Sequence, residues 1–237
     1  MTELYISDSE GSMKNLLYLQ KSLAEVLRQT GSTVNLEISS KRAVLTIFVP
    51  KLYRELIIAE LYDKIAEVIA VGYKYAFLKK SVKTEGLSAK NTELLFAGII
   101  SADLRDDKRY IVSKLKGLED IAIDGVYNFR LKLLKEKWVE VASLLPIYFT
   151  ADQLRDFLTY ICKDKKSKVF MDENCVYDEH YRKLLKAELI SEEPNFVLET
   201  VLSGAEEIKL LSDIPDRELI PLKEFYGGKI TFSQKKK

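Results

Sequence analysis

One stretch constrains this chain more than any other: Ile121-Ala-Ile-Asp-Gly-Val-Tyr-Asn-Phe-Arg-Leu-Lys-Leu-Leu-Lys-Glu-Lys-Trp138, which ends on the only tryptophan. Tyr127, Leu131, Leu134, Trp138, Val141 and Leu145 recur at spacings of four, three, four, three and four. Residues three and four apart share one side of an α-helix, so the pattern predicts one helix over residues 126–145. Its apolar stripe should face a core or a partner helix. Asp124 stands just before Gly125 and Val126, where its carboxylate suits the unpaired N–H groups and the positive end of a helix start. Arg130, Lys132, Lys135 and Lys137 lie off the stripe, offset only by Glu136, and Pro146 ends the run.

Around this helix the periodicity divides the chain into three parts. Residues 1–50 read as a strand–helix–hairpin unit. Leu4 to Ile6 form a short strand, and Ser12 caps a helix through Leu16, Leu19, Leu23, Val26 and Leu27 that Gly31 closes. Val34, Leu36 and Ile38 then alternate with polar residues, residues 39–42 turn the chain, and residues 43–49 form the second hairpin strand up to Pro50. Residues 51–165 read as helical. Leu52, Leu56, Ala59, Tyr62, Ala66 and Ile69 share a face that runs to about Lys80, with Gly72 as a candidate interruption. A loop follows, and Asn91 or Thr92 is placed to cap a helix through Leu95, Phe96, Ile99, Ile100 and Leu104. Arg105-Asp-Asp-Lys-Arg109 carries both signs and is expected to be solvated. Thr150-Ala-Asp-Gln153 has the pattern of a capping box, in which Thr150 and Gln153 satisfy each other's backbone donors.

Lys163-Asp-Lys-Lys-Ser-Lys168 marks a boundary, after which residues 166–237 read as a small α/β layer. Strands are expected at 168–172, 175–178, 208–211 and 229–232, with helices at 196–202 and 216–225. The last two strands should pair in parallel. Gly227-Gly228 reads as a turn and Lys235 to Lys237 as a frayed basic tail. The fold class expected is α+β: a mostly helical middle flanked by a small N-terminal α/β-hairpin unit and a C-terminal α/β layer.

Composition excludes several function classes. With 37 basic against 36 acidic residues the net charge is +1, so only local clustering can argue for nucleic acid. A content of 47% hydrophobic and 31% charged residues belongs to an ordinary globular chain with a core. The longest uncharged apolar run, residues 94–102, falls well short of the roughly 20 residues a membrane helix needs, and the N-terminus lacks a secretory signal pattern. A cytoplasmic protein without membrane insertion is expected, with Cys162 and Cys175 as reduced thiols.

No nucleotide-binding, hydrolase or zinc-protease motif is present. His180, the sole histidine, sits in Asp178-Glu-His-Tyr181 near Asp172 and Glu173, without the glycine and spacing of a calcium loop. It reads as an exposed side chain, and no catalytic, cofactor-binding or metal-ligating residue is assigned. Tyr73, Tyr75 and Phe77 fit a packing face better than a base-stacking platform.

Ile123-Asp-Gly-Val-Tyr-Asn-Phe-Arg-Leu-Lys132 resembles the signature of the YtxC-like family of sporulation-associated proteins of endospore-forming Firmicutes. That family opens a helix with a glycine, an aromatic residue and Phe-Arg-Leu-Lys. A weaker likeness runs through Asn195-Phe-Val-Leu, Glu206-Glu-Ile-Lys209, Glu218-Leu-Ile and Gly-Gly-Lys-Ile-Thr-Phe232, so that it covers about residues 50–233. Val126 and Tyr127 depart from the aromatic-first order, and the terminal cysteines of many members are missing. The resemblance marks Asp124, Gly125, Phe129, Arg130, Leu131 and Lys132 as signature positions and implies a cytoplasmic, sporulation-linked protein without an established activity. Three functions are thus on the table. The first is protein–protein contact without catalysis, with Arg130, Lys132, Lys135 and Lys137 as the interaction surface. The second is nucleic-acid association through the same four cations, which should then form one exposed stripe. The third is an enzyme with a site where the helical and C-terminal regions meet.

Overall fold

Leu4, Ile6 and Asp8 alternate with more exposed residues along β1 (Thr2–Ser9), so one side of this strand is buried almost throughout. The strand is longer than expected because the inward series continues through an aspartate. In the computed structural model, which describes residues 1–39, 41–163 and 167–232, β1 pairs antiparallel with β3 (Arg42–Val49). On its far side β3 pairs antiparallel with β2 (Thr33–Ser39). A strand that the sequence did not announce, β4 (Asp120–Ala122), joins β1 in parallel, and the sheet order is β2-β3-β1-β4. The turn residue Ser40, residues 164–166 of the expected boundary and the tail 235–237 lie outside the described residues.

α1 (Met13–Thr30) packs on this sheet through Leu16, Leu19, Leu23 and Leu27 and ends at Gly31, whose φ of 65° forms the left-handed cap that favours glycine. Ser12 precedes the helix but bonds Ser9 Oγ rather than capping it. α2 (Arg54–Glu67) packs against α1, and Tyr18 donates to Glu67 at 2.5 Å. Gly72 does not stop the helical path. It lies in a π-helical segment, Val68–Tyr73, that leads into α3 (Lys74–Ser81).

α4 (Ala89–Leu115) starts under Ser88, whose Oγ accepts from the Asn91 N–H at 3.2 Å; neither Asn91 nor Thr92 is the cap. α5 (Ile123–Arg130) and α6 (Lys132–Ser143) replace the single helix expected over 126–145. The break is at Leu131, whose φ and ψ of −113° and 32° are not helical. α5 begins at Ile123 behind Ala122, so Asp124 lies inside its first turn instead of capping it. Thr150 and Gln153 do form the capping box of α7 (Ala151–Cys162).

The second sheet joins β5 (Lys168–Met171), β6 (Val176–Tyr177), β7 (Glu207–Leu210) and β8 (Ile230–Phe232) in the order β6-β5-β7-β8. β5, β7 and β8 are parallel, including the expected β7–β8 pair. α8 (Phe196–Ser203) is capped by Asn195, whose Oδ1 accepts from Leu198 N–H at 2.9 Å, and α9 (Asp216–Tyr226) carries Pro221 inside it.

The fold is α+β. Its compact units do not coincide with the three consecutive segments expected. One unit comprises Met1–Lys74 and Leu104–Ala142, the other Tyr75–Asp103 and Ser143–Lys237. Among the described residues no helix is long and apolar enough to cross a membrane.

Candidate functional site

The α5–α6 corner is built on a buried charge. Asp107 lies on the part of α4 that belongs to the first unit and is only 1% exposed, so the reading of residues 105–109 as a solvated run fails there. Its Oδ2 accepts from Lys74 Nζ at 2.8 Å and from Trp138 Nε1 at 2.9 Å, and its Oδ1 from Lys137 Nζ at 2.9 Å. Burial alone would push the carboxyl upward. The attraction of Lys74 and the three donated bonds outweigh it, and its pKa is held below the ordinary value. Lys74 reaches this position as the first residue after the π-helical segment, and its ammonium also lies 5.7 Å from the Trp138 ring.

Aromatic rings continue the anchor toward α5. Tyr127 lies 6.2 Å from Trp138 and 4.7 Å from Tyr73, centroid to centroid. Tyr73 donates to Asp8 Oδ1 at 2.7 Å. Asp8 also accepts from Ser9 N–H and from Asn15 Nδ2, both at 2.8 Å. Burial raises the Asp8 pKa despite these bonds, and burial beside Asp8 raises that of Tyr73. At the carboxyl end of the neighbouring parallel strand, Asp124 accepts from Arg42 at 2.6 Å and 3.1 Å. This pairing holds Asp124 ionised below its ordinary pKa, and Arg42 reaches on to Ser7. A raised carboxyl near a lowered one is an arrangement used in acid–base chemistry. Here Asp8 has no exposed surface and both its oxygens accept bonds, so neither oxygen is directed at a substrate. The network is used to fix where α5 leaves β4.

Above this anchor the corner turns outward. Leu131 is buried at the break, whereas Phe129 is 86% exposed and Leu133 65% exposed. Arg130 and Lys132 are exposed as well, and Lys132 makes a long ion pair to Glu136, 3.8 Å, at the surface. Gly125 sits where a Cβ would come within 3.3 Å of the Ala122 Cβ, so a side chain there would crowd the entry to α5.

The four cations therefore do not form one stripe. Lys137 is bonded to Asp107, and Lys135 is half-buried, donating to the Asn128 carbonyl at 3.0 Å with its ammonium 5.1 Å from the Tyr127 ring. Of the four, Arg130 and Lys132 are the exposed residues, and Lys135 and Lys137 are half-buried. The signature residues separate in the same way: Asp124, Gly125 and Leu131 shape the corner, and Phe129, Arg130 and Lys132 are displayed by it.

The carboxylates around His180 close turns. Asp172 accepts from Asn174 N–H, Cys175 N–H and the Tyr177 hydroxyl, and Asp178 from His180 N–H and Arg182. Among the described residues no group of three or more histidine, cysteine or acidic side chains is placed to hold a metal ion. Sequence reasoning missed Asp8, Arg42, Lys74 and Asp107, although Asp8 continues the inward alternation of Leu4 and Ile6. No family model, no curated protein and no solved structure matches this chain.

Proposed function

We propose that this chain is a cytoplasmic, non-catalytic protein of the YtxC-like, sporulation-associated type that works by binding another protein through the α5–α6 corner. The carrying observation is Phe129, an aromatic side chain 86% exposed, next to Arg130 in sequence, with Leu133, 65% exposed, just past the break. Aromatic and arginine side chains dominate the energetics of protein interfaces, and a paired apolar and cationic display suits a partner segment with apolar and acidic side chains. The rigid base supports the same reading. Trp138, Asp107 and Leu131 hold the corner in one shape before any partner arrives, which lowers the ordering cost of binding. Lys137 is committed to Asp107 and Lys135 to the Asn128 carbonyl, which leaves Arg130 and Lys132 as the more exposed of the four cations.

Affinity capture from sporulating cells tests this reading, with the wild-type chain beside a Phe129→Ala, Leu133→Ser variant. Both side chains are exposed, so the variant should melt within a degree or two of wild type, as surface changes of up to about 0.5 kcal/mol do. One or more proteins held by wild type should be lost from the variant. An identical set of retained proteins would refute the assignment to this corner, and a retained set dominated by nucleic acid that salt releases would favour the second function.

A further inference from the structure

The sheet of the first unit ends in an open edge. β2 is paired on one side by β3 and borders no other strand among the described residues. The remaining sheet edges are short: β4 and β8 have three residues and β6 two, whereas β2 has seven. Natural proteins protect long edges with lysine, proline, a bulge or an inward-pointing charge. β2 has none of these. Its sequence Thr33-Val-Asn-Leu-Glu-Ile-Ser39 contains neither lysine nor proline, and its register with β3 runs unbroken from Thr33↔Phe48 to Ser39↔Arg42. Its single charge, Glu37, points to the opposite face from Val34, Leu36 and Ile38, whose partners Ile47, Leu45 and Ala43 are buried.

We propose that β2 pairs with β2 of a second copy of this chain, antiparallel about a two-fold axis at Leu36, making one eight-stranded sheet across the dimer. The sequence of the strand is complementary to itself in this register. Leu36 meets Leu36 of the second copy, and Val34 meets Ile38 on either side. A continuous apolar row then covers Ile38, which is 56% exposed in the single chain, and half-exposed Val34 and Leu36. On the other face Asn35 meets Glu37 and Thr33 meets Ser39, so each carboxylate faces an amide donor. An axis at Glu37 would instead oppose two like charges, which is unfavourable. An isologous contact of this kind closes at two copies and leaves no further edge of β2 to propagate. Seven paired residues make a small interface, under the roughly 1,200 Å² of the standard class, so the dimer is weak and concentration-dependent.

Sedimentation velocity across micromolar to near-millimolar loading tests the pairing on the full chain. Wild type should pass from monomer to dimer. Ile38→Lys, at an exposed position, should stay monomeric with unchanged circular dichroism and melting temperature. In this register the new side chain of Asn35→Lys stands opposite Glu37 of the second copy, twice per dimer. It should tighten the dimer roughly two- to tenfold at low salt. A wild-type chain that is monomeric throughout, or a dimer indifferent to Ile38→Lys, overturns the pairing, and weakening by Asn35→Lys overturns the Leu36 register. Phe129→Ala, which addresses the corner and not this edge, should leave the dimer intact, so the two proposals fail separately.

Discussion

At the scale of single residues, Asp107 does most to hold the α5–α6 corner. It is the acceptor for two lysines and an indole N–H inside the protein, and breaking a buried charge arrangement costs far more than a surface pair contributes. Asp107→Asn should therefore lower the unfolding free energy by about 3–5 kcal/mol at neutral pH, read from urea titrations. The pH dependence follows from the sign of the shift. Asp107 has a folded pKa below its ordinary 3.8, so its contribution is full above that value and is lost only as pH falls through the lower folded one. The difference between wild type and Asp107→Asn should stay constant from neutral pH down to about 4 and narrow below it. A difference that shrinks already between pH 7 and 5 would show that Asp107 is not the ionised acceptor. Asp107 was legible as a position but not as a charge. Ile100, Leu104, Asp107 and Ile111 share one helical face, but the charged neighbours of the aspartate in sequence mask that membership. Lys74 between Val71 and Leu78 gave the same kind of signal. A charge on an apolar face is informative because burying it requires partners, which for Asp107 lie on α3 and α6, 30 or more residues away.

At the scale of elements, periodicity predicts the burial of Leu131, Leu134 and Trp138 in the stripe, but not its division into two helices. Periodicity reports which face is buried. It is nearly blind to one residue leaving helical φ and ψ, because the residues on either side keep their three- and four-residue spacing. Phe129, two residues from Tyr127, lies opposite the buried stripe and is 86% exposed, and the departure at Leu131 sets the direction in which α6 leaves it. The approach of α4 to α7 was equally hidden. A Cβ on Gly98 would lie 2.7 Å from the Leu158 Cδ2 and 3.2 Å from the Phe157 ring, so the glycine sets the closeness of the two helices. Gly98→Ala meets mainly the end of a flexible leucine, and its helix propensity gain of about 1 kcal/mol offsets part of the crowding. Gly98→Val adds two further methyl groups with nowhere to go and should destabilise by about 1–3 kcal/mol. Thermal melts of the two variants check this: alanine near wild type, valine several degrees lower. Equal melting temperatures for all three would mean the helices part without cost.

At the scale of the whole molecule, the α+β class and most strands followed from alternation and turn residues, because these are local properties. The composition of the compact units did not follow, because it depends on which distant segments meet. β4 is three residues long with no alternation to detect, and it pairs with a strand more than 110 positions earlier. Whether the strand–helix–hairpin segment 1–50 is a unit by itself can be tested. In the folded chain Tyr18 of that segment donates to Glu67, Asp8 accepts from Tyr73, and Arg42 donates to Asp124. Cut off at residue 50, the segment would leave Asp8 short of a donor and expose the side of α1 that α2 covers. About 50 residues without a disulfide or metal bury too little surface to absorb such losses. A fragment of residues 1–50 should therefore show no cooperative melt and poorly dispersed amide resonances. A fragment of residues 1–142 contains all of Met1–Lys74 and Leu104–Ala142, and should melt cooperatively with slow amide exchange along β1. Its residues 75–103, separated from 143–237, should exchange quickly. If the shorter fragment alone melts cooperatively, the segment is a domain in its own right and the buried bonds to Glu67, Tyr73 and Asp124 are dispensable for it.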